Sequence, residues 1–204
     1  MTQFNHPLPQ LPSTFPQPLS VTFPDWLSQV VKPGDLYASE EARMQLAIKL
    51  SELQVQHDSG GPFGAVVCEL VSGAVVGVGV NRVVPNNASI AHAEVVAWSS
   101  AQQLLSSYDL SAPGLPPLGL YTSSQPCIAC WGGLFWTGLK KLVCGASKQD
   151  VEDLTGFNEG PVPHDWDLLL AQAGIAVELE VCRDQACKVL SEYGRSGIIY
   201  NPSR

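Results

Sequence analysis

Hydrophobic positions recur along this chain at two spacings. Leu46, Leu50 and Leu53 fall three or four residues apart, which lines one face of a helix. Ser39 stands where an N-cap would, and Glu40 and Glu41 follow in the first turn, where the helix dipole favours negative charge. The pattern predicts an amphipathic helix over 39–56, broken by Gly60-Gly61-Pro62. Two valine-rich runs, 65–71 and 74–80, are joined at Ser72-Gly73, which predicts a β-hairpin. A polar loop over 81–90 precedes a helix from His92 to about Ser107, with Val95, Val96 and Leu104 as its packing residues. Residues 108–117 hold three prolines and a glycine and predict a connection. Beyond it the pattern predicts a strand over Leu118–Thr122, a helix from Cys127 to about Gly138 and a strand over Leu142–Gly145. A loop, a strand over Ile175–Val181 and a helix from about Asp184 to Tyr193 complete the series. Strands alternating with helices predict parallel pairing and helices on both faces of one sheet, with the hairpin as an antiparallel edge.

Composition changes this picture mainly at the ends. Seven of the sixteen prolines lie within residues 1–34: Pro7, Pro9, Pro12, Pro16, Pro18, Pro24 and Pro33. Such a stretch is neither a regular helix nor a central strand. It reads as an extended arm, either anchored by side chains such as Phe23 and Trp26 or loose. With 204 residues, 45% hydrophobic and 15% charged, the rest suits one globular domain. We divide the chain into an arm (1–34), a main domain (35–193) and a C-terminal tail (194–204). No apolar run approaches the roughly 20 residues of a membrane span. The N-terminus has no basic segment followed by an apolar one, so the expected compartment is cytoplasmic. The net charge is −8, which repels polyanions and argues against nucleic acid as the main partner. A small neutral heterocycle suits that surface better. The six cysteines are too few for a disulfide-dense secreted scaffold. Cys68 and Cys144 sit inside apolar runs and read as core residues.

The chemistry concentrates in two short segments, His92-Ala93-Glu94 and Pro126-Cys127-Ile128-Ala129-Cys130. One imidazole and two thiolates are three protein ligands for zinc, leaving a fourth tetrahedral position open for water. Each segment begins a predicted helix, whose positive end favours thiolate. Glu94, two residues from His92, is free to carry protons. The pattern is the H-x-E…P-C-x-x-C signature of zinc-dependent base deaminases. Taken alone, C-x-x-C also reads as a redox pair, or with Cys182 and Cys187 as a structural zinc site. A lone histidine at a helix start reads as structural. Neither alternative accounts for both segments at once. His6, His57 and His164 have no partner motif and read as surface or loop histidines.

With these residues in place, the sequence resembles the cytidine-deaminase-like superfamily of zinc hydrolases, and within it the guanine deaminases. The resemblance rests on Gly60-Gly61-Pro62-Phe63-Gly64-Ala65-Val66, Asn81-Arg82-Val83, Ala91-His92-Ala93-Glu94-Val95 and the Pro126–Cys130 segment. Gly156-Phe157-Asn158-Glu159 falls where the family has a Gly-Phe-acidic loop. The match spans about 39–160.

The resemblance implies a three-layer α/β/α sandwich around a five-stranded mixed sheet. It implies Zn²⁺ on His92, Cys127 and Cys130, with Glu94 shuttling protons. Phe63 would stack on the base, Asn81 would bond its polar edge, and the backbone N–H of Ala93 would assist. Glu159 would orient the exocyclic amine or relay a second proton, although the family often has aspartate there. Trp136 corresponds to an aromatic pocket residue. The implied assembly is a homodimer in which the C-terminal segment can cross to the partner, with Tyr200 closing the site. The implied reaction is guanine to xanthine plus ammonia. The signature alone also admits another amino-heterocycle (cytosine, an aminopyrimidine, a pterin or an aminotriazine) or a tRNA adenosine. On their own, Phe63 and Trp136 also read as core aromatics, Asn81 as a loop cap, Glu159 as a solvated acid and Tyr200 as part of a frayed tail.

Overall fold

The computed structural model describes residues 13–15, 20–195 and 197–201. His6, Pro7, Pro9, Pro12, Pro16 and Pro18 lie outside the described residues. In chain order the elements are α1 (Leu27–Val30), α2 (Glu40–Gln56), β1 (Gly64–Glu69), β2 (Val75–Val80), α3 (Val83–Asn86), α4 (Ala93–Leu104), β3 (Leu118–Ser124), α5 (Ile128–Leu134), β4 (Lys141–Ala146), α6 (Lys148–Thr155), α7 (Trp166–Gln172), β5 (Ala176–Glu178) and α8 (Arg183–Gly194). The five strands form one mixed sheet in the order β2-β1-β3-β4-β5. β1 pairs antiparallel with β2 and β3, and β3, β4 and β5 run parallel.

Successive strand residues point to opposite faces of a sheet, and here each face has its own core. Val66, Cys68, Tyr121 and Val143 pack with α2 and α8 residues such as Met44, Leu50 and Leu190. Ala65, Val67, Leu120, Leu142 and Cys144 pack with Ala97 and Trp98 of α4, Leu134 of α5 and Leu170 of α7. The result is the α/β/α sandwich, with the expected hairpin edge.

The hairpin closes through Gly73, whose φ of 78° suits a residue without Cβ. Ser39 caps α2 by accepting the Ala42 N–H at 3.1 Å. The packing of α4 is set by small residues on both sides. A Cβ on Gly79 would strike the backbone of Ala93 and Ala97, and one on Gly77 would strike Ala97 and Ala101. The helix therefore lies almost on the backbone of β2, and its first turn is fixed with it.

Several elements depart from the sequence pattern. The stretch expected as a loop before the last strand contains α6 and α7. Ser147 and Asp150 form a capping box at the start of α6, and Gly156 ends it at φ 83°. β5 has three residues, because Glu180 and Cys182 turn the chain at positive φ before α8. Helix α5 ends at Leu134 rather than near Gly138. In α4 Val96 is buried while Leu104 is exposed. The described part of the arm is anchored: Leu27 and Val31 are buried and Trp26 packs against the same core, while Phe23 stays half exposed.

Candidate zinc-deaminase site

His92 and Cys127 are the N-cap residues of α4 and α5, and Cys130 lies in the first turn of α5. The sheet thus brings two helix starts, distant in sequence, to one place. His92 Nδ1 lies 3.4 Å from the sulfur of Cys127 and 3.5 Å from that of Cys130. The three donor atoms lie within 4.8 Å of one another. Zinc bonds of about 2.3 Å to sulfur and 2.1 Å to nitrogen, at tetrahedral angles, separate N and S by about 3.6 Å. The donor set therefore fits one zinc ion with a position to spare. Cys182 and Cys187 are free and join no such group among the described residues.

The electrostatics are those of a site built for a cation. Hydrogen bonding from Cys130 outweighs burial and, with His92, draws the Cys127 thiol down to about 4. Burial opposes charge on His92, but its contacts with Cys127 and Glu94 lift it to about 9. Glu94 is buried; desolvation and the Cys127 thiolate raise it to about 7. Glu159 is also buried; desolvation, then Cys127 and Glu94, raise it to about 8.

A cavity of about 270 Å³ lies over these groups, lined by Phe63, Asn81, His92, Glu94, Cys127, Glu159 and Tyr200 among others. Glu159 reaches it because its carbonyl accepts the Ile128 N–H at 3.0 Å, which docks the 156–160 loop on the start of α5. Phe63, Phe157 and Tyr200 form an aromatic wall, with ring centroids 5.4 Å and 4.7 Å apart. The Tyr200 hydroxyl is buried without a hydrogen-bond partner, a group a polar ligand would satisfy. The tail lies over the cavity of its own chain. Asn201 donates to the Gly156 carbonyl at 3.0 Å and accepts the Asn158 N–H at 3.1 Å.

Two expected residues are placed elsewhere. Trp136 is 84% exposed, because α5 stops two residues earlier and the chain turns outward, so within one chain it does not reach the cavity. Ala93 packs beside Gly79 in the core and is not among the residues that line the cavity. Ser89, Ser124, Gln125 and Asn201 line the cavity without having been singled out from the sequence. Ser124 and Gln125 directly precede Pro126 and Asn201 follows Tyr200, so adjacency to quoted motifs was the available signal.

Residues 38–146 match the model of the cytidine and deoxycytidylate deaminase zinc-binding region. The chain belongs to this zinc-dependent deaminase family. A solved structure of guanine deaminase from Nitrosomonas europaea is 42% identical, covers 89% of this chain and 99% of its own, and superposes with a TM-score of 0.85. A solved complex with 2,6-diaminopurine is 44% identical over 90% of this chain and 96% of its own, with a TM-score of 0.84. The guanine deaminase of Bacillus subtilis (strain 168) is 34% identical over 121 residues, 59% of this chain and 72% of that protein. The tRNA-specific adenosine deaminase of Buchnera aphidicola aligns at 27% identity over 74% of this chain and 90% of its own. As a member of the family, the protein is a hydrolytic zinc deaminase.

Proposed function

We propose that this deaminase acts on a free purine base, converting guanine and water to xanthine and ammonia. One observation carries the reading: His92, Cys127, Glu94, Glu159 and Asn81 all face one small cavity roofed by Tyr200, and the buried Cys130 sulfur lies 3.5 Å from His92 Nδ1. The Nitrosomonas europaea guanine deaminase, which it resembles along nearly its whole length, supports the choice of base.

His92, Cys127 and Cys130 would hold the zinc. Zinc in such a site supplies Lewis acidity and makes water acidic near neutral pH. Glu94 takes a proton from the water attacking C2 and delivers it to the adjacent ring nitrogen. A carboxyl raised to about 7 exchanges protons readily at neutral pH. Glu159, on the loop docked against α5, holds the exocyclic amine and gives it the proton with which it leaves as ammonia; the second proton of the water passes from the C2 hydroxyl to Glu94 as the carbonyl forms, and exchange with solvent returns both carboxyls to their starting states. Asn81 bonds the polar edge of the base and Phe63 packs on its face. Tyr200 and the tail exclude water and leave little room for an attached ribose or strand.

The 1–34, 35–193 and 194–204 division fits this reading, the middle segment carrying the metal ligands and both carboxyls. Phe135 and Trp136, side by side and exposed on the end of α5, offer a surface for a second copy. The assembly proposed is a homodimer, in which the tail need not be exchanged because Tyr200 reaches its own cavity. No helix of the described residues is long and apolar enough to cross a membrane, which accords with the cytoplasmic location we propose.

The test is steady-state ammonia release from guanine, guanosine, adenine, cytosine, an aminotriazine and an anticodon stem-loop. The expected result is the highest kcat/KM on guanine and at least about 100-fold less on the stem-loop, whose phosphates meet a chain of net charge −8. Preference for another heterocycle would keep the chemistry and replace the substrate.

A further inference from the structure

Asn81 is held by its backbone at both ends. Its N–H donates to the Phe63 carbonyl at 3.1 Å. Its carbonyl accepts from the side-chain amide of Gln54 at 2.6 Å. Gln54 is fully buried on the last turns of α2, outside the cavity. Its other amide atom accepts the Ser59 hydroxyl at 2.5 Å. Ser59 in turn accepts the indole N–H of Trp26 at 3.1 Å. A second chain of bonds runs beside the first. The buried Arg82 guanidinium donates to the Ser59 carbonyl at 2.6 Å and to the Thr22 carbonyl at 2.8 Å. The Thr22 N–H donates to the Asn86 side chain at 2.9 Å. Gly60 is part of the same frame, since a Cβ there would strike both the Asn81 carbonyl and the Gln54 amide.

We propose that Gln54, Ser59 and Arg82, tied to Thr22 and Trp26 of the proline-rich arm, are positioning residues that set the register of Asn81 and Phe63 against the substrate. The inference rests on the reading of Asn81 as a base contact. The arm is then a working part of the substrate site, although none of its described residues lines the cavity. A buried amide that bridges two elements through both of its polar ends fixes distance better than apolar packing does, because a slip of either partner leaves a buried polar group unsatisfied.

The test is a double-mutant cycle on the zinc-loaded full chain, with kcat and KM for guanine read separately. Gln54→Met keeps the volume and removes both bonds; the expected result is a KM raised about tenfold, the size of one buried hydrogen bond, with kcat within threefold. Trp26→Phe keeps one aromatic ring near His57, whose centroid lies 5.6 Å from that of Trp26, and removes the N–H together with the second ring; KM should rise about threefold. In the Asn81→Ala background each change should alter kcat/KM by less than twofold, since groups acting through one residue are not additive. If Gln54→Met does not fold, Trp26→Phe decides alone. A KM within twofold of the parent in the folded variants, or penalties carried undiminished into the Asn81→Ala background, overturns the proposal. An Asn81→Ala protein with guanine turnover within threefold of the parent would instead sink the base-contact reading itself, and the inference with it.

Discussion

Glu94 and Glu159 are carboxyls that burial has moved toward neutral pH, to about 7 and about 8. A carboxyl near neutrality can both accept and return a proton. Both face the cavity that His92 and Cys127 also line, so each has a place in the proposed proton path. Replacing Glu94 by Gln should leave one zinc per chain by elemental analysis and lower turnover by about 10³-fold or more. Parent-like turnover in that protein would end the assignment. Glu159→Gln should lose most guanine turnover, and a rate within threefold of the parent would remove Glu159 from the path. The ligands and Glu94 were legible because their chemistry needs fixed residue types at fixed short spacings. Trp136 was not, because its position depends on where α5 ends. Gln54 and Ser59 carried no sequence signal at all: their partners are up to 33 residues away, and a hydrogen bond at that range leaves no periodic pattern.

Helices are aimed here by what lies beneath them. α4 carries His92 and Glu94 on its first turn, and that turn sits on Gly79. Gly79→Ala should push the helix off β2, costing about 1–3 kcal/mol of stability by denaturant melts and weakening zinc retention against a chelator. Parent-like stability and retention would show that the close approach is not needed.

On the opposite layer, Arg183 at the start of α8 bonds both carboxylate oxygens of Asp150 in the first turn of α6. The Arg183 guanidinium, with Ser147, holds Asp150 well below the usual carboxylate range. A lowered folded-state pKa means stability present above about pH 4, where the unfolded carboxyl ionises, and lost as pH falls through the folded value. Asp150→Asn should therefore lower Tm at pH 7 and make less difference at pH 2.5; an equal deficit at both would refute the assignment. Long amphipathic elements such as α2 were readable from periodicity. α6 and α7 were not, at 8 and 7 residues, although Ser147-x-x-Asp150 and Gly156 did mark the ends of α6.

At the scale of the molecule, the order of strands and helices was enough to place a mixed sheet between two helical layers. Metal ligands at two helix starts required those starts to meet at one end of that sheet. How the arm braces the Asn81 segment and how the tail lies over the cavity of its own chain were not readable, since both stretches lack periodicity and are held by contacts such as those of Trp26 and Asn201. Central to the proposed activity is a zinc ion held by His92, Cys127 and Cys130 beside the cavity in which guanine would turn over. The direct measurement is ammonia release from guanine as metal-free protein is titrated with zinc. Activity should rise in proportion to zinc and level off at one equivalent per chain, with xanthine and ammonia formed in equal amounts. Saturation with one zinc and no ammonia from guanine, or undiminished release without the metal, would contradict it.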